Sequence, residues 1–151
     1  MALHDEALAH WSPDELDGLR EVAADAQALL DTVGRFCLVH SDVNPKNVLV
    51  DPDSLEVTGL LDWEFAHAGH PYTDLGNLLR FDRQPAFIEA VLEAYVARHG
   101  GTPADALAMA RAADLWALVD LASRRGQNPV AARAHDLLLT IARAGDTGAS
   151  G

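Results

Sequence analysis

The densest run of side chains able to do chemistry is His40-Ser41-Asp42-Val43-Asn44-Pro45-Lys46-Asn47, and further acids follow at Asp62 and Glu64. Phosphoryl transfer asks for parts of this kind: a carboxylate near the attacking hydroxyl, oxygen ligands that hold Mg²⁺ against phosphates, and a scaffold that fixes both. The residues between Asn47 and Asp62 bring the two acidic segments together. Short apolar runs from Asn47 to Val50 and from Val57 to Leu61 flank Asp51-Pro52-Asp53-Ser54. In that turn the proline fixes φ and the Asp and Ser side chains cap the backbone, which predicts a β-hairpin over residues 47–61. Antiparallel pairing would return Asp62 close to Asn47, so that one amide oxygen and one carboxylate could share a cation.

Other elements must carry this cluster. Ser12-Pro13-Asp14-Glu15 is a capping box with proline at the first helical position. With Leu16, Leu19, Val22, Ala26, Leu29, Leu30 and Val33 at helical spacing, it predicts a helix over residues 13–33. Phe36 to Val39 reads as a brief strand entering the polar loop of residues 40–47. After the loop of residues 62–64, AHAGHPY reads as irregular, and Thr73-Asp74 is expected to cap a helix running to about Phe81. Two further helices are expected at residues 85–99 and from Thr102-Pro103 to about Arg125, and a last one through Val130, Leu137, Leu138 and Ile141. Helices thus fill residues 73–144, and residues 145–151 read as a flexible tail. The predicted class is α+β, mostly α, with a single domain over residues 1–144.

Composition limits the function classes. The chain has 151 residues, 49% of them apolar and 23% charged, in the range of an ordinary globular domain. The formal charge of −12 argues against a nucleic-acid partner and suits a cationic ligand, although an acidic surface also serves solubility. No run reaches the roughly 18 consecutive apolar residues of a membrane span, and the amino terminus lacks the layout of a secretion signal; the expected location is the cytoplasm. Cys37 is the only cysteine, so no disulfide forms within the chain. His67 and His70 are separated by Ala68-Gly69 and followed by Pro71, which removes the helical spacing of a zinc pair.

LVHSDVNPKNVLVD followed by GLLDWEFAHAGHPYTDLGNLLRF resembles the catalytic and metal-binding loops of the aminoglycoside phosphotransferase and choline-kinase-like group, within the protein-kinase-like superfamily. The resemblance is strong over about residues 36–82. It implies the carboxy-terminal lobe of a kinase-like fold, with Mg²⁺ and ATP or another nucleoside triphosphate as cofactors and a small-molecule hydroxyl as acceptor. By the same resemblance Asp42 is the catalytic base, and Asn47 and Asp62 are the Mg²⁺ ligands. His40 is a structural residue tying the loop to the backbone near Asp62, and Asp74 braces the loop from the start of the following helix. Glu64 stands where a eukaryotic-type protein kinase has the glycine of DFG; it either anchors its loop by hydrogen bonding or touches metal or substrate. Lys46 either reaches a phosphate of the nucleotide or is a solvated loop lysine.

The glycine-rich loop and strand lysine that normally grip ATP precede the catalytic loop by many tens of residues. Only 39 residues precede His40, they contain no GxGxxG, and Lys46 is the only lysine in the chain. The expectation is therefore a lobe without its amino-terminal partner lobe, with weak nucleotide binding and little turnover by itself. Three explanations stand side by side: a piece of a larger kinase, a short protein completed by a partner chain, or a noncatalytic binding or scaffold module. A metal-dependent phosphohydrolase ranks behind these. A surface left bare by the missing lobe also suggests self-association into a homo-oligomer.

Overall fold

The computed structural model describes residues 8–82 and 84–149, which gather into two compact units. The fold is α+β and mostly helical, with small antiparallel strand pairs and dominant carboxy-terminal helices.

One unit comprises the described residues up to Thr32 and from Arg111 onward. Its first helix, α1 (Pro13–Leu30), starts on a complete capping box. Glu15 N–H donates to Ser12 Oγ at 3.3 Å, and Ser12 N–H donates to Glu15 Oε2 at 2.8 Å. The helix stops at Leu30 instead of residue 33, with Asp31 as its C-cap; the following Thr32 and Val33 are β-branched and helix-averse. α1 packs against the last helix, α5 (Pro129–Ala144), at very close range: a Cβ on Gly18 would lie 2.2 Å from the Ala142 carbonyl oxygen. The exposed ends of these helices are clipped together by Arg143, whose Nε and Nη2 donate to Glu15 Oε1 at 2.9 and 2.7 Å. Asn128 caps α5 by accepting from Ala131 N–H at 2.8 Å, and Gly145, at φ 67°, closes it in the left-handed conformation glycine favours.

The other unit comprises residues 33–110 and holds the polar cluster. β1 (Cys37–Val39) pairs with β4 (His67–Gly69), and β2 (Val48–Val50) pairs with β3 (Val57–Leu60), both antiparallel. The hairpin turn is organised by Asp51, whose Oδ1 accepts from Asp53 N–H, Ser54 N–H and Ser54 Oγ–H. β4 lies inside the segment that reads as irregular from sequence. Ala68 and Gly69 are poor strand formers, and only pairing with distant β1 extends them. Gly69 is needed there because a Cβ would fall 2.6 Å from Val39 Cγ2.

A short helix α2 (Thr73–Leu79) and a longer α3 (Pro85–His99) follow. Leu75 and Leu79 of α2, Leu92 of α3, and Ala106 and Ala110 form the core of this unit, packed round by Tyr72, Phe87, Ile88, Val91 and Tyr95. Ala106 and Ala110 belong to α4 (Pro103–Ala122), which contributes its residues from Arg111 onward to the first unit. α4 ends at Ala122, short of Arg125, and residues 123–127 are turns. No described helix is long and apolar enough to cross a membrane.

Candidate active site

His40 is at the centre of the site. It is only 2% exposed, and its two ring nitrogens face different segments. Nε2 lies 2.7 Å from the Leu61 carbonyl oxygen, and Nδ1 lies 3.2 Å from Asp42 N–H. A carbonyl can only accept and a backbone amide can only donate, so the ring is neutral with its proton on Nε2. The imidazole therefore bridges the residue before Asp62 to the backbone of Asp42, and the ring of Trp63 covers it at 4.7 Å between centroids.

The backbone at His40 and Ser41 is held from α2. Asp74 Oδ2 accepts from His40 N–H at 2.9 Å, and Oδ1 accepts from Ser41 N–H at 2.8 Å. Thr73-Asp74 was expected to cap this helix, and Asp74 to brace the loop before it. The N-cap is Tyr72, which makes no side-chain capping bond, while the Asp74 carboxylate reaches the loop of residues 40–47. The brace fixes an unusual backbone: Ser41 adopts φ 68°, a left-handed conformation unfavourable for a residue with a Cβ. Ser41 Oγ also lies 3.2 Å from His67 Nδ1 on β4.

Asp42 follows immediately, and two amides grip its carboxylate. Asn44 Nδ2 donates to Oδ1 at 2.9 Å, and Asn47 Nδ2 donates to Oδ2 at 2.8 Å; both also donate to the Asp42 carbonyl, at 3.1 and 2.9 Å. A carboxylate oxygen has two lone pairs, so each retains one for an incoming hydroxyl. Asn44 is the residue that sequence reasoning passed over. The Asn44-Pro45-Lys46 turn, in which Lys46 N–H donates to Asn44 Oδ1 at 3.0 Å, is the signal that could have revealed it.

Asn47 is buried and joins three parts of the site. Its side chain grips Asp42, its N–H donates to the Asn44 carbonyl at 2.9 Å, and its carbonyl accepts from Leu61 N–H at 2.8 Å. The hairpin register continues that last bond, pairing Val48 with Leu60. Asp62 is thus one residue beyond the backbone bond to Asn47. It adopts φ 67° at the start of a 3-10 turn (Trp63–Phe65), is exposed, and makes no side-chain capping bond. Trp63 Nε1 donates to the Leu60 carbonyl at 3.0 Å and pins this turn to the hairpin.

Glu64 is exposed on the same turn, and Lys46 is exposed on the catalytic loop. Among the described residues no three His, Cys, Asp or Glu side chains converge as a metal site. What the fold supplies is the Asn47 amide against Asp42, and the carboxylate of Asp62, one residue beyond the Leu61 N–H that bonds to Asn47. Because Asn47 commits its Nδ2 to Asp42, its Oδ1 is the atom that could hold a metal, and Asp62 adds an exposed carboxylate. Both are hard oxygen donors of the kind Mg²⁺ takes, together with water and phosphate oxygens, so the residues present fit that ion. The surroundings on the hairpin side are apolar and open: Leu49, Leu61, Trp63 and Phe65 are all exposed, as are Phe36 and Leu38 on the β1 side.

The family described as phosphotransferase enzyme family (APH) matches residues 2–107. Acyl-CoA dehydrogenase family member 11 of Mus musculus is 37% identical over 76 residues, which is 50% of this chain and 10% of that protein. The proteins of the same name from Rattus norvegicus and Homo sapiens are 36% identical over 76 residues and 29% identical over 66 residues. The matches thus span about a tenth of the length of these curated relatives. No solved structure matches the chain.

Proposed function

Because the chain belongs to the phosphotransferase enzyme family, we propose that it carries the base and metal-holding half of a small-molecule kinase site, acting on a hydroxyl with Mg-ATP as donor. The observation that carries this reading is the double role of Asn47, which grips the Asp42 carboxylate through its side chain and holds Leu61, next to Asp62, through its backbone.

In this reading the Asp42 carboxylate accepts a hydrogen bond from the acceptor hydroxyl and orients its oxygen for attack, using lone pairs that Asn44 and Asn47 leave open. Asn47 Oδ1 and Asp62 would hold Mg²⁺, which supplies charge neutralisation for the transferring phosphoryl group. His40 and Asp74 touch no substrate; they keep the backbone of the catalytic loop in register with the Asp62 turn. A cationic acceptor such as an aminoglycoside suits the net charge of −12. Lys46, the only lysine, is in the catalytic loop and not on a preceding strand, so strong nucleotide binding needs a glycine-rich loop and an anchoring lysine from a further segment or a partner chain. The chain by itself is then weakly active at most, and we place it in the cytoplasm, where ATP is available.

A second reading, a noncatalytic binding module, draws on the fact that both Asp42 oxygens already accept amide hydrogen bonds. Assaying phosphate transfer from Mg-ATP to aminoglycosides, choline and related alcohols separates the two. A kinase site loses its turnover, by about a hundredfold or more, on Asp42→Ala substitution. A binding module has no turnover to lose and changes only in stability.

A further inference from the structure

Outside the site, the most heavily buried titratable group among the described residues is in the first unit. His135 on α5 is 2% exposed, and two side chains from the amino-terminal segment converge on one of its nitrogens. Trp11 Nε1–H donates to His135 Nε2 at 3.0 Å, and His10 Nε2 lies 3.0 Å from the same atom. On the other side of the ring, His135 Nδ1 lies 3.3 Å from Asp136 Oδ1. An indole N–H can only donate, so Nε2 must carry a lone pair and the proton must be on Nδ1, where the Asp136 carboxylate accepts it. The contacts at both ends of the ring thus require the same neutral tautomer.

We propose that neutral His135 is a proton-sensitive latch that holds residues 8–12 against α5 and releases them on acidification. A proton added at Nε2 would convert the acceptor of Trp11 into a donor. The indole N–H would then be buried without a partner, because Trp11 is itself only 6% exposed. His10 could take the new proton's hydrogen bond, but it cannot restore an acceptor to Trp11. Leu8, also buried, is carried on the same segment, and Ser12 at its end caps α1. The groups acting on the imidazole are Asp136 on its own helix, His10 on the segment and Arg125 in the turn after α4, while Glu15 at the start of α1 is engaged by Arg143. Burial, with Arg125 and His10 adding to it and the Asp136 hydrogen bond opposing it, keeps His135 below its ordinary value of 6.5. With its value lowered in the latched state, His135 contributes fully to the latch above 6.5, and this contribution is lost as pH falls from 6.5 through the lowered value.

A transition metal bridging the two Nε2 atoms is the competing occupant, but the Trp11 N–H aimed at the same point repels a cation. The test follows the Trp11 indole resonance and the His135 ring resonances of the isotope-labelled chain from about pH 7.5 to about pH 5. The latch predicts that the two titrate together and that the unlatched population rises by up to about tenfold per pH unit within the window. His135→Gln keeps an acceptor for Trp11 without a titrating group, so its indole resonance should stay constant. A Trp11 signal that stays constant in the wild type, or that moves equally in His135→Gln, overturns the proposal. So does micromolar Zn²⁺ that binds His10 and His135 while Trp11 remains in place. If His135→Gln does not fold, the two wild-type titrations still decide the matter, since midpoints that differ contradict the latch.

Discussion

Asn47 donates one amide nitrogen to both the carboxylate and the backbone carbonyl of Asp42, at 2.8 and 2.9 Å, and so links the start and end of the catalytic loop. Asn47 is buried, so removing its amide leaves polar groups of the loop unpaired. Asn47→Ala should cost about 1–3 kcal/mol in urea unfolding. Asn47→Asp should be worse for the loop, because it sets a second carboxylate against Asp42. An Asn47→Ala variant as stable as the wild type would show that the contact does not hold the loop.

Ser41 adopts φ 68° immediately before Asp42. Ser41→Gly removes the strain along with the hydroxyl, whereas Ser41→Ala removes only the hydroxyl. The glycine variant should therefore be more stable than the alanine variant by about 1 kcal/mol, measured by thermal or urea unfolding. Equal stability would mean that the backbone there is not strained.

Gly18 allows α1 and α5 to touch. A methyl group 2.2 Å from the Ala142 carbonyl oxygen must push one helix away. Although alanine is the better helix former, Gly18→Ala should destabilise by about 1–3 kcal/mol, as overpacking does. Stabilisation on calorimetry would contradict this helix contact.

Glu15 is held below its ordinary 4.5, first by the Ser12 N–H and then by the hydrogen bonds from Arg143. A depressed carboxyl contributes stability that is complete above 4.5 and is lost as pH falls through the lowered folded value. The stability gap between wild type and Glu15→Gln should therefore be constant near neutrality and close below 4.5. A gap that persists to the acid limit would assign it to something other than charge.

Much of this arrangement was legible in the sequence because its signals are local. The capping box at Ser12 and the turn at Asp51 each act within a few residues, and α3 runs from Pro85 to His99 as its pattern predicts. The candidate site residues were legible as types at spacings, and the hairpin register explains why Leu61, the residue before Asp62, bonds to the Asn47 carbonyl. What the sequence hid is long-range. Asp74 was assigned to the loop only through the family resemblance, because nothing in the residues around Thr73 shows that its carboxylate meets His40, 34 residues away. β4 has no strand composition and exists because β1 is beside it. Asn44 attracted no notice because its grip on Asp42 depends on the fold of the loop.

The central claim, that Asn47 and Asp62 share a divalent cation beside Asp42, is tested most directly by titrating Mn²⁺ into the isotope-labelled chain and mapping paramagnetic broadening. The account predicts broadening centred on the Asn47 side-chain amide and the Asp62 backbone amide, reversed by excess Mg²⁺ and lost in Asp62→Ala. Broadening centred elsewhere, or unchanged in Asp62→Ala, would contradict it.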